Sequence, residues 1–340
     1  MSSSLLEERY RRVLRMLPAT YRQRWEEDMV AAFLEAAHAA DPADPERVEF
    51  SSPGRGEVAS VAALALRLRL GGDVAAPRAF AWGQAVRRVA LVGLLIHATG
   101  AVTGVLLMAW LSHRLPWPTA VPDGWAPTRW DSLLNLVTLL WLPAYLAVLH
   151  GYRRAGGILA VVAFAPTVIF TVLSLAADPG ASPLSQAAWL LFATLPVLAL
   201  AAFHQGAPPI APRPWLIALP AGLGLSFLVA LLGQAAADRI PLIDPPGLWA
   251  TGLTAAALTR LARAPHWALA LAVLAGATLG LRLVTLLEFL GYAGAAPGRS
   301  AFVAVAVAES VALLIATAAL AARAARTLRR LPRGEVRLPA

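Results

Sequence analysis

The chain has 340 residues, of which 58% are hydrophobic and only 14% charged, with a mean hydropathy of +0.63. Soluble domains carry roughly a quarter charged residues, so the composition excludes an ordinary soluble protein. With no cysteine in the sequence, disulfides, thiolate catalysis and Cys-ligated metals are also excluded. The net charge of +9 rests on Arg alone, and its placement argues against nucleic acid as a partner. Residues 1–88 hold 13 Arg against 12 acids, and the excess lies in loops and a tail flanking apolar stretches. There it orients helices and meets anionic lipid.

Residues 1–88 read as a small cytoplasmic three-helix domain. Ser4-Leu5-Leu6-Glu7 is a capping box, and Leu6, Tyr10, Val13, Leu14 and Leu17 follow at helical spacing along one face. Pro18 ends that run. Thr20 is placed to cap a second helix, whose apolar stripe is Tyr21, Trp25, Met29 and Phe33, with Glu26, Glu27 and Asp28 near its first turns. A Pro-, Asp- and Ser-rich connector over 41–55 leads to a third helix from about Gly56 to Leu70, stopped by Gly71-Gly72. The face formed by Tyr10, Leu14, Leu17, Tyr21, Trp25, Met29 and Phe33 is the expected docking face for a cytoplasmic protein partner. The first long apolar run starts only after some 88 residues, behind this charged amphipathic segment, which does not read as a cleavable signal peptide.

The run Tyr10-Arg11-Arg12-Val13-Leu14-Arg15-Met16-Leu17-Pro18-Ala19-Thr20-Tyr21-Arg22, continuing through Trp25-Glu26-Glu27-Asp28-Met29 to Phe33, resembles known prefix domains. These are the short helical domains that precede the membrane spans of many bacterial permeases and sensors, including the FtsX-like permease prefix and the HAAS-type signalling domain. The shared elements are an amphipathic helix ending in Leu-Pro, an aromatic-Arg pair and an acidic helix, over about a tenth of the chain. More broadly, the chain resembles actinobacterial integral membrane proteins of uncharacterised activity that carry this prefix. The resemblance implies transport or regulated membrane signalling. The chain departs from the permease pattern in lacking a large extracytoplasmic domain, and it has no P-loop, so any ATPase would be another chain.

Beyond residue 88 the pattern is that of an all-α, polytopic membrane bundle. A spanning helix needs about 20 mostly apolar residues, and the segments 89–111, 133–150, 155–176, 184–203, 215–236, 267–290 and 301–322 qualify. The segment 247–261 is shorter and ends near Arg260. Loop charge decides its case. With the prefix inside, Arg87, Arg88, Arg153, Arg154, Arg213, Arg260 and Arg263 fall on inner loops, and the basic tail 323–340 is inside only if 247–261 also crosses. The expectation is eight transmembrane helices with both termini in the cytoplasm of a plasma (inner) membrane protein. Trp82, Trp215 and Trp267 then mark the inner boundary, and Trp110, Trp130 and Trp249 the outer one.

Ionisable residues inside spans are costly and default to functional hypotheses. Arg282 and Glu309 each lie about eight residues from the outer end of two consecutive antiparallel spans, and so at equal depth. They are expected to form an intramembrane ion pair, acting either as a staple between helices or as a coupling site. Glu288 is rotated to another face, near water. His97 reads as a hydrogen-bonded packing residue. Pro143, Pro166, Pro196 and Pro220 interrupt four successive spans. The pairs Gly222/Gly224 and Gly276/Gly280 allow close helix contacts, within the chain or in an oligomer. The tryptophans of the outer loop 112–132 read as interfacial anchors.

No Ser/His/Asp set, paired carboxylates, HExxH or phosphate loop is visible, so neither enzymatic chemistry nor a cofactor or metal is expected. The favoured function is a membrane-embedded sensor or regulatory scaffold whose prefix binds a partner. The alternative is a transporter or permease subunit using the kinked spans and the intramembrane charges.

Overall fold

The computed structural model describes residues 4–42, 44–71, 77–111, 129–177, 182–204, 206–236, 245–259, 264–291 and 299–330. Most of the expected outer loop 112–132, Arg260, Arg263 and the tail beyond 330 lie outside these residues. All regular structure among the described residues is helical: α1 (Leu5–Leu14), α2 (Ala19–Ala40), α3 (Pro45–Phe50), α4 (Arg55–Arg69), α5 (Pro77–Leu111), α6 (Arg129–Thr138), α7 (Trp141–Leu149), α8 (Arg153–Ala177), α9 (Pro183–Ala199), α10 (Pro212–Ala236), α11 (Pro245–Leu258), α12 (Pro265–Gly291) and α13 (Arg299–Arg330), with a 3-10 turn over Leu200–Ala202. The described residues divide into a prefix unit, those up to Gln84 together with His204 and 206–208, and a membrane unit formed by the remainder.

The prefix has four helices before α5 where the sequence suggested three. The added helix, α3, falls inside the supposed connector. Asp44 caps it by accepting from the Arg47 amide at 3.0 Å, and Pro45 occupies its first turn. A proline costs nothing there, because that N–H has no intrahelical partner. Ser4 caps α1 through the Glu7 amide at 3.2 Å. Helix α2 starts one residue earlier than its expected cap: Pro18 is the N-cap and Thr20 lies in the first turn. Gly71, at φ +71°, ends α4 in the left-handed conformation that glycine adopts freely. The following chain packs so closely that a Cβ on Gly83 would collide with the Leu70 carbonyl oxygen.

The core of the prefix is Tyr10, Leu14, Leu17, Val30, Val61 and Ala65. Tyr10 stacks flat on Phe33 with centroids 3.9 Å apart, and its hydroxyl donates to Glu57 Oε1 at 3.0 Å. Arginines tie the segments at the rim. Arg9 donates to the Phe50 and Ser51 carbonyls at 2.8 and 2.7 Å, and Arg69 donates to the Met16 carbonyl at 2.9 Å, just past the end of α1. Arg11 grips Glu27 through both terminal nitrogens at 2.8 Å and also Glu7 at 2.9 Å.

In the membrane unit, seven helical segments among the described residues are long and apolar enough to cross a bilayer: Pro77–Trp110, Ser132–Leu149, Arg153–Ala177, Pro183–Ala202, Pro212–Leu231, Pro265–Leu290 and Ser300–Arg330. The protein is therefore a multi-helical, membrane-embedded chain. Helix α11, with 14 residues, is shorter than the roughly 20 a straight crossing needs. Helix α5 is the hub of this unit. Its His97 stacks on Trp141 of α7, its Gly93 meets Pro196 of α9, its Thr99 meets Gly222 of α10, and its Arg88 guanidinium lies over the Trp267 ring of α12.

Proline acts differently in each span. At Pro143 the helix breaks: α6 ends at Thr138, and 3-10-type bonds from Leu139, Leu140 and Leu142 carry the chain into α7. Proline lacks a donor and its ring crowds the carbonyl four residues back, so the shorter bonding pattern takes over. At Pro196 the helix runs on to Ala199 and tightens into the 3-10 turn, whereas Pro166 and Pro220 sit inside continuous helices. The α7–α8 turn closes on Gly151, at φ +85°, with the Tyr152 amide reaching the Ala147 carbonyl at 2.8 Å, a Schellman closure.

Candidate functional site

Helices α12 and α13 form an antiparallel hairpin, with α11 packed against both. The hairpin is built on buried positions at helical spacing, three, four or seven residues apart. On α12 these are Ala268, Leu271, Ala275, Thr278 and Arg282; on α13 they are Ala306, Glu309, Leu313, Leu320 and Ala324. Small and branched apolar residues alternate along this seam, as close-packed membrane helices require. Two of its positions carry charge.

Arg282 Nη2 lies 2.6 Å from Glu309 Oε2, with the arginine side chain 0% exposed and the glutamate 9%. The structure thus brings the two candidate charges together on the seam, toward the end where α12 passes to α13. The guanidinium carbon also sits 5.2 Å from the Phe302 ring centroid, and Phe302 packs against Phe289 at 4.4 Å. An aromatic pair therefore closes the seam on the side where α12 ends and α13 begins. The Thr285 hydroxyl donates to the Arg282 carbonyl at 2.9 Å. Glu288, expected near water, is half-buried, with its Oε1 covered.

A pair this deep has a defined chemical meaning. Each charge alone in the bilayer core is expensive, and together they offset one another while fixing register, since sliding one helix by a residue would separate them. Of the small-residue pairs, only Gly222 makes a close approach, its notional Cβ falling 3.0 Å from Thr99 Cγ2. Gly276 meets Thr317 Cγ2 at an ordinary 3.8 Å, and Gly224 and Gly280 meet nothing within 4 Å. His97 is held through a ring nitrogen 3.3 Å from the Ala193 carbonyl, which occupies it in packing.

The candidate docking face on the prefix has a different fate. Tyr10, Leu14 and Leu17 are buried in the prefix core, and Tyr21, Met29 and Phe33 pack against them. The helices cover this stripe with one another because a small domain has few other apolar positions from which to build a core. Trp25 is left outside, 41% exposed, beside the Arg24 guanidinium. The residues that sequence reasoning missed are those completing this core from α4, Val61 and Ala65, and Gly93 on α5. Val61 and Ala65 are spaced i, i+4 and were detectable; Gly93 carries no local signal. Comparison of the chain with protein-family models, with curated proteins and with solved structures finds no match.

Proposed function

We propose that this protein is a membrane-embedded sensor or regulatory scaffold, with its prefix facing the cytoplasm as the element that a soluble partner reads. The observation that carries this is the continuity of α5. Its first turns, Pro77–Gln84, belong to the prefix unit, and the same uninterrupted helix then becomes the hub of the membrane unit. In this reading, a change in how the membrane helices pack around α5 reaches the prefix through that one helix. Among the residues of the expected docking face, Trp25 is the one accessible to a partner without opening the prefix core.

The topology proposed with it is eight crossings with both ends in the cytoplasm. Trp215 and Trp267 stack at 6.2 Å, which sets the starts of α10 and α12 at one level, beside Arg88. Helix α10, at 25 residues, is about 37 Å long, so its far end reaches the opposite face. In this topology the chain between them returns through α11, the helix in that stretch. His204 and residues 206–208, reached after four crossings, cluster with the prefix unit. Because the chain has no native cysteine, single substitutions such as Gly206→Cys, Pro246→Cys and Ala264→Cys can be labelled without background in intact cells. Pro246→Cys alone should react with an impermeant maleimide. Reaction at both Pro246→Cys and Ala264→Cys, or at neither, would rule out a crossing by α11.

The sensor reading is tested by hydrogen exchange on the full chain in lipid nanodiscs. Gly93→Ala, which perturbs α5 inside the membrane unit, should change exchange in α1–α4. A change confined to α5–α13 would remove the relay. A second reading, a transporter or permease subunit, is favoured by the helix broken at Leu139–Leu140 together with the buried charges. Proton or solute flux in proteoliposomes that is lost in Glu309→Gln would select it.

A further inference from the structure

Hydroxyls in membrane helices normally bond a carbonyl of their own helix, and most here do. Thr99 donates to Leu95 at 2.9 Å, Thr171 to Thr167 at 2.8 Å and Ser310 to Ala306 at 2.7 Å. Thr278 and Thr317 depart from this habit. Both hydroxyl oxygens are buried and find no hydrogen-bond partner among the described residues, and Thr278 as a whole is 0% exposed. Leaving a hydroxyl in that state is costly, and a native protein normally satisfies it.

Their positions lie along one line. The contacts Phe289–Phe302 and Arg282–Glu309 set the antiparallel register of the hairpin. In that register Thr278 is level with Leu313, and Thr317 with Leu274. The hydroxyl of Thr317, that of Thr278 and the ion pair therefore succeed one another in steps of four residues, about 6 Å each. Two hydrogen bonds through one water cover about 5.6 Å. Beside Thr317 the facing position is Gly276, where a Cβ would stand in ordinary contact with Thr317 Cγ2, at 3.8 Å, so no side chain from α12 covers that point of the seam.

We propose that a short file of ordered water molecules occupies the α12–α13 seam, bridging Thr317, Thr278 and the Arg282–Glu309 pair, and that Glu309 exchanges protons through it. In the step itself a hydronium in the file gives its proton to the Glu309 carboxylate and becomes water, while Arg282 stays cationic. The inference stands independently of what the prefix binds.

The test uses the full chain in nanodiscs with Thr278→Val, Thr317→Val and the double variant. Valine keeps the shape and removes the hydroxyl. If waters bridge these groups, each single variant lowers Tm by at least about 2 °C, and the double loses less than the sum because the two share one network. A Tm at or above that of the native chain for Thr278→Val would mean an unbridged hydroxyl and would overturn the file. The proton route is read by infrared spectroscopy on acidification, using the carboxylic-acid band that Glu309→Gln removes. Its deuterium exchange should slow at least about tenfold in the double variant. An unchanged rate, or no such band, overturns the route.

Discussion

The ring of Pro196 on α9 stands directly over Gly93 of α5: a Cβ on Gly93 would collide with Pro196 Cγ and Cβ. A proline that invites interpretation as a hinge is here a flat packing surface. Gly93→Ala must push the two helices apart or shift the ring, and overpacking of this kind costs about 1–3 kcal/mol. The variant should melt several degrees below the native chain in detergent. Gly224→Ala, with nothing within 4 Å, should melt at or slightly above the native temperature, because alanine is the better helix former. Equal melting of both variants would show that the close approach carries no strain.

The Arg282–Glu309 pair makes a sharper prediction, because breaking a buried pair differs from replacing it. Arg282→Gln or Glu309→Gln alone strands one charge in the seam and should cost about 3–5 kcal/mol. The combined Arg282→Met/Glu309→Leu variant removes both charges and should recover most of that loss. Additive damage in the double variant would mean that the two side chains act separately. Recovered stability with the α12–α13 register lost, read by cross-linking of paired cysteines, would assign the pair to register.

Most of the membrane unit was legible because hydropathy measures what the bilayer demands of a helix, length and apolarity. The depth match of Arg282 and Glu309 was visible for the same reason: two spans joined by a short loop count residues from a common boundary. The fate of the prefix stripe was less visible. Periodicity shows that Tyr10, Leu14 and Leu17 share a face, but whether that face meets another helix or a partner depends on the i, i+4 pair Val61 and Ala65, forty-odd residues on. Helix α3 hid in a segment rich in Pro and Asp, although Asp44-Pro45 is itself a helix start. The Thr278–Thr317 line escaped notice because threonine is ordinary in a membrane helix. Only the register of the hairpin aligns the two.

Glu27 gives the prefix an acid-side dependence. Hydrogen bonds from Arg11 hold its carboxyl below the ordinary range. A depressed carboxylate contributes stability that is present above the ordinary value, about 4.3, and is lost as pH falls through the folded-state value. Glu27→Gln should therefore flatten the acid side of the melting profile of α1 and α2. An unchanged profile would mean that Glu7 and Glu26 hold Arg11 equally well alone.

Tyr10 supplies the opposite, alkaline dependence. Burial of its ring, and then the hydrogen bond to Glu57, push the phenol well above its ordinary value. That value is about 10 in an open chain, so below it the folded and unfolded states hold the proton alike and the contribution is fully present. Above it the unfolded chain gives up the proton while the fold retains it, and stability falls as pH rises. The phenolate absorbance of the native chain minus that of Tyr10→Phe isolates this one group. The difference should stay flat through pH 10, where an open phenol is half ionised, and rise only as the prefix unfolds. In Glu57→Gln the rise should come earlier, because the negative charge that opposes ionisation has gone while burial remains. A difference curve centred on the ordinary phenol value would place Tyr10 in water and take the stacked Tyr10–Phe33 core with it.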